Sequence, residues 1–190
     1  PYYAYLESRG MAEHIDRFCV DLEQKGPLKN RIILPMTIDG KNVGYTARTI
    51  VDQKPKYYHW HQSHYVFNTD YVKNSYKYCL VFEGNMDAIL LNGVAVMTNT
   101  ISPEQSIIIN SLGKEVIVVP DQDKPGLELI DKALEYGYAV SFPKWEEGVK
   151  DANDAIIKYG KLFTLVSILN SVETSPAKIE IKKKIMSANV

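Results

Sequence analysis

The texture of this 190-residue chain changes near residue 78. Before that point the apolar positions follow mixed patterns. Tyr2, Tyr5 and Leu6 fall at helical spacing, Gly10 ends the run, and Ile15 and Phe18 continue on a second short helix. Residues 31–38 form a β-rich run, Asp39-Gly40 a turn, and residues 42–50 a returning run. Asp-Gly between two such runs predicts a hairpin, because both turn residues tolerate positive φ. Residues 51–72 are polar and aromatic with little period, and read as a long loop or irregular cover.

From Tyr78 onward short apolar runs alternate with helical stretches. The runs 79–82, 94–97, 116–119 and 138–142 read as strands, with helices over about 86–92, from Ser102, over about 126–136 and from Asp151. Ser102-Pro103-Glu104-Gln105 has the pattern of a helix start, with Ser as N-cap, Pro at the first position and Gln at the third. Strands alternating with helices at this spacing predict βαβ units, hence a mostly parallel sheet with helices on both faces. The expected organisation is a mixed α+β N-terminal lobe over 1–77, an α/β domain over 78–160, and a helical extension over 161–190 that includes Lys182-Lys183-Lys184.

Composition narrows the class. At 45% hydrophobic and 24% charged residues the chain is ordinary globular material, neither disordered nor collagenous nor coiled coil. No run approaches ~18 consecutive apolar residues, so no membrane span is expected, and the first residues lack the pattern of a signal peptide. Two separated cysteines, Cys19 and Cys79, suggest a reducing compartment and exclude a Cys-based zinc module within these residues. The formal net charge of -1 argues at first against a nucleic-acid partner. Its distribution reverses that view. Residues 1–79 carry +3, residues 80–154 carry -8, and residues 155–190 carry +4. Acidic centres hold divalent cations, and basic flanks hold phosphates.

The acids sit where chemistry is expected. In an open parallel sheet, ligands collect outside the carboxyl ends of the strands. Glu83 follows the first apolar strand of the α/β region, Asp87 lies one helical turn beyond it, Asp121 and Asp123 follow the third strand, and Asp151 comes after the fourth. Five carboxylates on one rim repel one another unless hard cations such as Mg²⁺ relieve them. Plainer roles exist for several. Asp151 with Asp154 resembles an N-terminal capping box, Asp123 before Lys124-Pro125-Gly126 suits a cap or turn, and Asp87 suits an exposed first turn. Glu83, at the edge of Leu-Val-Phe, has no such explanation.

These residues resemble a known family. Leu80-Val81-Phe82-Glu83-Gly84-Asn85-Met86-Asp87 together with Val118-Val119-Pro120-Asp121-Gln122-Asp123 is similar to the Toprim fold of primases, topoisomerases and some nucleases. Tyr5-Leu6-x-x-Arg9-Gly10, Arg31–Pro35, Asp39-Gly40, Gly44-Tyr45-x-x-Arg48, Lys54-Pro55-Lys56-Tyr57 and Lys150–Asp154 resemble, in that order, segments of the RNA-polymerase domain of DnaG-type DNA primases. The helix-rich end looks most like primases of tailed bacteriophages. The resemblance implies a Toprim catalytic domain preceded by a smaller α+β lobe, and a primase core that makes short RNA primers on single-stranded DNA from ribonucleoside triphosphates. It implies that Glu83, Asp121 and Asp123 are catalytic and bind two or more Mg²⁺ or Mn²⁺ ions, with Asp87 and Asp151 completing the metal set. It also implies that Arg31, Arg48 and Lys56 face nucleic acid or the incoming triphosphate. A replicative helicase partner and a cytoplasmic setting, that of the host bacterium if phage-encoded, follow from the same likeness.

Tyr57, Tyr58, Trp60 and Tyr65 lie among basic residues, a composition suited to stacking the bases of single-stranded DNA; a hydrophobic cover is the plainer role for each alone. Three features depart from the family pattern. Thr98-Asn99-Thr100 stands where many relatives have small residues and a glycine, and Asn153 stands where many have Asp. His59, His61 and His64 have no counterpart; without a fourth ligand nearby, no zinc is expected in this segment. The Cys-rich zinc-binding domain that precedes this core in the family is absent, and the chain begins at Pro1, so a piece of a longer protein is expected. Two alternatives remain: a Toprim nuclease, which does not need the Arg31–Arg48 hairpin, and a non-enzymatic module that docks on a helicase, which does not need clustered carboxylates. A topoisomerase has no room for its tyrosine-bearing domains.

Overall fold

The hairpin forms where the alternation demands it. β2 (Arg31–Ile38) and β3 (Lys41–Thr49) pair antiparallel around Asp39 and Gly40, whose φ values of 51° and 73° make the reversal. Ile32, Leu34 and Met36 on one face are buried, while Ile33 and Pro35 on the other are only partly covered. This computed structural model describes residues 1–188; the last two residues of the expected C-terminal extension, Asn189 and Val190, lie outside the described residues.

The chain forms two compact units, which meet between Tyr65 and Val66. The first begins with α1 (Tyr2–Ser8) and a 3-10 segment, Ala12–Arg17, followed by a short strand β1 (Cys19–Val20). Its sheet has the order β1-β2-β3-β4. The last strand, β4 (Tyr57–His61), lies in the segment expected to be loop. It pairs antiparallel with β3, and all but one of its residues are exposed. An edge strand bare on both faces has no apolar–polar alternation to announce it. Gly44 is required for this pairing, because a Cβ there would stand 2.4 Å from the carbonyl oxygen of Trp60.

The second unit is the predicted α/β arrangement. β5 (Tyr78–Phe82), α2 (Asn85–Leu91), β6 (Val94–Ala95), α3 (Pro103–Ser111), β7 (Glu115–Val118), α4 (Lys124–Tyr136) and β8 (Ala139–Ser141) follow in turn. They give a sheet of order β6-β5-β7-β8-β9, parallel except for β9 (Val172–Glu173), which runs antiparallel on β8. α5 (Ala152–Tyr159), α6 (Lys161–Asn170) and α7 (Pro176–Ser187) complete it. The core joins Val81, Val94, Val118 and Val140 of the strands to Ile109, Leu129 and Ile130 of the helices and to Ile179 of α7. The helical extension is thus built into the α/β core. Residues 66–77, expected with the N-terminal lobe, also attach here: Phe67 exchanges backbone hydrogen bonds with Ala95 at 2.8 and 3.1 Å, and the Asn68 amide donates to the Gly93 carbonyl at 2.7 Å.

Candidate active site

Burying β5 and β7 side by side determines where the acids go. Val81 pairs with Val118, so the chain leaves both strands at one level, toward Glu83 and toward Asp121. Glu83 Oε1 accepts the backbone N–H of Asp121 at 3.2 Å, a link between the two strand ends. Asp123 is the N-cap of α4 and accepts the Gly126 N–H at 3.1 Å. Asp151 caps α5 through the Asp154 N–H at 2.7 Å. Asp87 differs from the exposed first-turn carboxylate that its position suggests. It is buried, and its Oδ1 accepts the Asn153 N–H at 2.7 Å, which ties α2 to the first turn of α5.

The caps therefore do not compete with a shared site; they aim two of its members. Asp121 feels the charges of Glu83, Asp87, Asp151 and Asp123 together. Burial first, and those four carboxylates next, push its pKa up to about 9. Glu83 is pushed up to about 7, chiefly by burial, against the lowering effect of the Asp121 N–H, with Asp123 and Glu128 adding repulsion. The other four acids named from the sequence thus all act on Asp121.

Among the described residues, no group of three or more His, Cys, Asp or Glu side chains is arranged to hold a metal ion as it stands. The donor chemistry nonetheless fits hard cations. The set is entirely carboxylate oxygen, and burial first, with repulsion between neighbouring carboxylates added, disfavours the charged forms of Glu83 and Asp121. Asp87, Asp123 and Asp151 each accept a backbone N–H, which fixes the position of one carboxylate oxygen in each.

Sequence reasoning overlooked three supports of this rim. Gln122, between the two aspartates, binds the loop before α5 twice: its N–H donates to the Lys150 carbonyl and its side chain to the Pro143 carbonyl, both at 2.7 Å. Gly126 permits the tight turn from β7 into α4, since a Cβ there would lie 2.0 Å from the Asp121 carbonyl oxygen. Glu128 accepts a 2.6 Å hydrogen bond from Asn99, in the divergent Thr98-Asn99-Thr100 segment. Only Gly126 left a trace in the sequence, as a glycine in the first turn of a helix. A cavity of about 1090 Å³ opens from Pro120 and Gln122 past Phe142, Phe163 and Ile185, and none of the five rim acids lines it.

The basic candidates lie in the first unit. Arg48 reaches Tyr57, donating from Nη1 to its hydroxyl at 2.5 Å, with its guanidinium carbon 5.2 Å from that ring and 5.6 Å from the ring of Tyr5. Burial raises the Tyr5 pKa, against the opposing pull of Arg48 and Arg9. Lys56 is exposed, with Nζ 6.0 Å from the Tyr57 ring. Arg31 is placed differently. It is 1% exposed, and its guanidinium donates to the carbonyls of Pro27, Ala47, Lys56 and Pro55, at 2.8, 3.3, 3.2 and 2.6 Å. His59 and His61 share one side of β4 with rings 5.7 Å apart, and His61 Nδ1 lies 2.7 Å from the Gln62 carbonyl.

No family model matches the chain. It is 29% identical over 152 residues to the DNA primase of Halalkalibacterium halodurans and 30% identical over 152 residues to that of Staphylococcus aureus; each alignment takes in 70% of this chain and 25% of the relative. The chain thus spans about a quarter of the length of these curated relatives. Among solved structures, the Escherichia coli primase catalytic core superposes with a TM-score of 0.69 at 18% identity, over 90% of this chain and 72% of that one. A DnaG primase catalytic domain bound to single-stranded DNA superposes with a TM-score of 0.62 at 18% identity, over 87% of this chain and 61% of that one. The fold is that of the primase catalytic core, a Toprim α/β unit preceded by an antiparallel lobe.

Proposed function

We propose that this chain is the catalytic core of a DNA primase, which joins ribonucleoside triphosphates into short RNA primers on a single-stranded DNA template. The observation that carries this is the set of carboxylates around Asp121, at the carboxyl ends of adjacent parallel strands in a fold shared with primase catalytic cores. Similarity to DNA primases across 70% of the chain supports it.

Glu83 and Asp121 would hold the cations most directly, Asp123 from the head of α4, and Asp87 and Asp151 from the two helices they join. Bound there, two or more Mg²⁺ or Mn²⁺ ions supply Lewis acidity for the 3′-hydroxyl, the α-phosphate and the departing pyrophosphate. The protein's own work is placement. Gln122 anchors the loop between the aspartates, and the caps at Asp123 and Asp151 hold two carboxylates in one orientation before substrate arrives. Glu83 and Asp121 hold protons more firmly than free carboxylates do, so loading the site with cations releases protons. Arg48 and Lys56 provide positive charge for phosphates, a sequence-independent and salt-sensitive grip. Arg31 supports Lys56 from inside by binding its carbonyl. Such a core would work in the cytoplasm beside a replicative helicase; among the described residues, no helix is long and apolar enough to cross a membrane.

The test is incorporation of labelled ribonucleotides on single-stranded DNA with Mg²⁺ or Mn²⁺. The chain is expected to extend primers. Glu83→Gln and Asp121→Asn should abolish synthesis while leaving circular dichroism unchanged. Variants that prime normally would overturn the site. A chain that degrades DNA and never elongates would make it a nuclease.

A further inference from the structure

The four aromatic residues singled out in the sequence separate into different roles once β4 is seen. Tyr65 is buried, and its hydroxyl donates to the Thr37 carbonyl at 3.0 Å. Tyr57 is engaged by Arg48. The other two are open: Tyr58 is 40% exposed and Trp60 65%. Residues two apart in a strand point to the same face, about 7 Å from each other. Tyr58 and Trp60 therefore stand side by side on the face opposite the buried row of Ile32, Leu34 and Met36.

The register extends this patch across the sheet. Trp60 pairs with Tyr45, which pairs with Pro35; Tyr58 pairs with Ala47, which pairs with Ile33. Tyr45 and Pro35 are each only partly covered, so the Trp60 ring continues into apolar surface, while Ala47 beside Tyr58 is buried. β4 is the edge of its sheet, which leaves the approach along the strand open. Charge selects the occupant. From Lys41 to Tyr65 the chain carries Lys41, Arg48, Lys54 and Lys56 against Asp52 alone. Lys56 is exposed immediately before Tyr57 and is held by the bond from Arg31 to its carbonyl. Arg48 shares the opposite face with Tyr57, so the cation at the open rings is Lys56, exposed two residues before Tyr58; open rings in a row next to it suit a polyanion with flat apolar faces.

We infer that Tyr58 and Trp60 form a stacking platform for unpaired bases of single-stranded DNA, with Lys56 binding the adjoining phosphate. The inference rests on the primase function proposed above and adds a template-holding surface to it. Each base presents a π-face, so the platform holds template without selecting its sequence. The backbone is gripped by charge and the bases by the two rings, so loss of either should have its own signature.

Trp60 reports on itself, because the chain has only one other tryptophan, Trp145, in the second unit. In a Trp145→Phe background, a short oligothymidylate should quench Trp60 emission on titration. Trp60→Ala should weaken oligothymidylate binding roughly tenfold, the order of one lost base stack, with the salt slope unchanged. Trp60→Phe, which keeps a ring, should retain most of the affinity. Lys56→Gln should instead make the slope of log K against log salt shallower by about 0.7. If the oligonucleotide binds while Trp60 emission stays constant and Trp60→Ala binds equally well, the platform is wrong and the primase function stands. If the chain binds no single-stranded DNA even at low salt, that function fails as well. Emission that responds to an alternating Val–Thr peptide and not to DNA would make this edge a strand-docking site for polypeptide and overturn the inference.

Discussion

Asp121 and Glu83 carry the largest consequences of any single residues, because each is more stable protonated in the fold than in water. Their pKa values rise to about 9 and about 7 from the ordinary carboxylate range. A group whose folded pKa lies above its unfolded value contributes fully below the unfolded value, and loses that contribution as pH rises through the folded one. The metal-free chain should therefore melt at progressively lower temperature between pH 5 and pH 9. Asp121→Asn should remove most of this slope and raise Tm at pH 8, by about 2–4 °C for each kcal/mol of relieved repulsion. Millimolar Mg²⁺ should flatten the slope in the native chain, and chelation should restore it. Thermal melts across that pH range check all three outcomes; a Tm independent of pH would mean the carboxylates do not crowd one another. At the same scale the sequence was readable to an unusual degree. Glu83, Asp87, Asp121, Asp123 and Asp151 were all visible as acids following predicted strands or opening helices. Gln122 was not, because an amide between two acids has no pattern, and its value comes from the Pro143 and Lys150 carbonyls that it meets in space.

Elements with their own local chemistry were legible, and those that depend on a neighbour were not. α3 begins at Ser102 as predicted, with Ser102 Oγ accepting the Gln105 N–H at 3.2 Å and the Gln105 side chain accepting the Ser102 N–H at 3.0 Å. The Asp39-Gly40 hairpin likewise needed nothing beyond its own residues. β4 depends on β3 for every cross-strand bond, and the chain approaching it is held by Arg31 from a distant strand. Burying a guanidinium among four backbone carbonyls satisfies acceptors that would otherwise lie unpaired. Arg31→Ala should destabilise the first unit by about 2–3 kcal/mol, the order of a buried hydrogen-bond group left unmet. It should also speed hydrogen exchange at the Thr49 amide, which donates to the Lys56 carbonyl at 3.1 Å. Arg31→Lys should not rescue the loss, since a compact ammonium lacks the planar fork that reaches four acceptors. Normal denaturation and exchange in these variants would show that β4 holds itself in place.

For the whole molecule the near-neutral total of -1 conceals an acidic segment of -8 between segments of +3 and +4. Oligonucleotide binding should accordingly be steep in salt although the chain as a whole carries almost no charge. With three or four phosphates neutralised, the slope of log K against log salt should be about -2 to -3 for a single strand. Fluorescence anisotropy at several ionic strengths measures it. A slope near zero would mean that the basic flanks do not meet phosphates.

Local order in the chain was enough to specify the parallel α/β unit, the hairpin, the caps and the carboxylate rim. Each rests on short-range rules: apolar runs make strands, turn residues reverse the chain, and residues after strand ends gather on one rim. Three things were settled only by packing. β4 is a strand because β3 offers it partners. Arg31 points inward because the carbonyls of Pro27, Ala47, Pro55 and Lys56 converge on it. α6 and α7 belong to the α/β unit because the sides of Ile168 and Ile179 are fully buried there. The physical reason is common to all three. Hydrogen-bond acceptors and apolar surface brought together from distant parts of the chain have no signature in any one segment, and their effect exists only after the chain has closed.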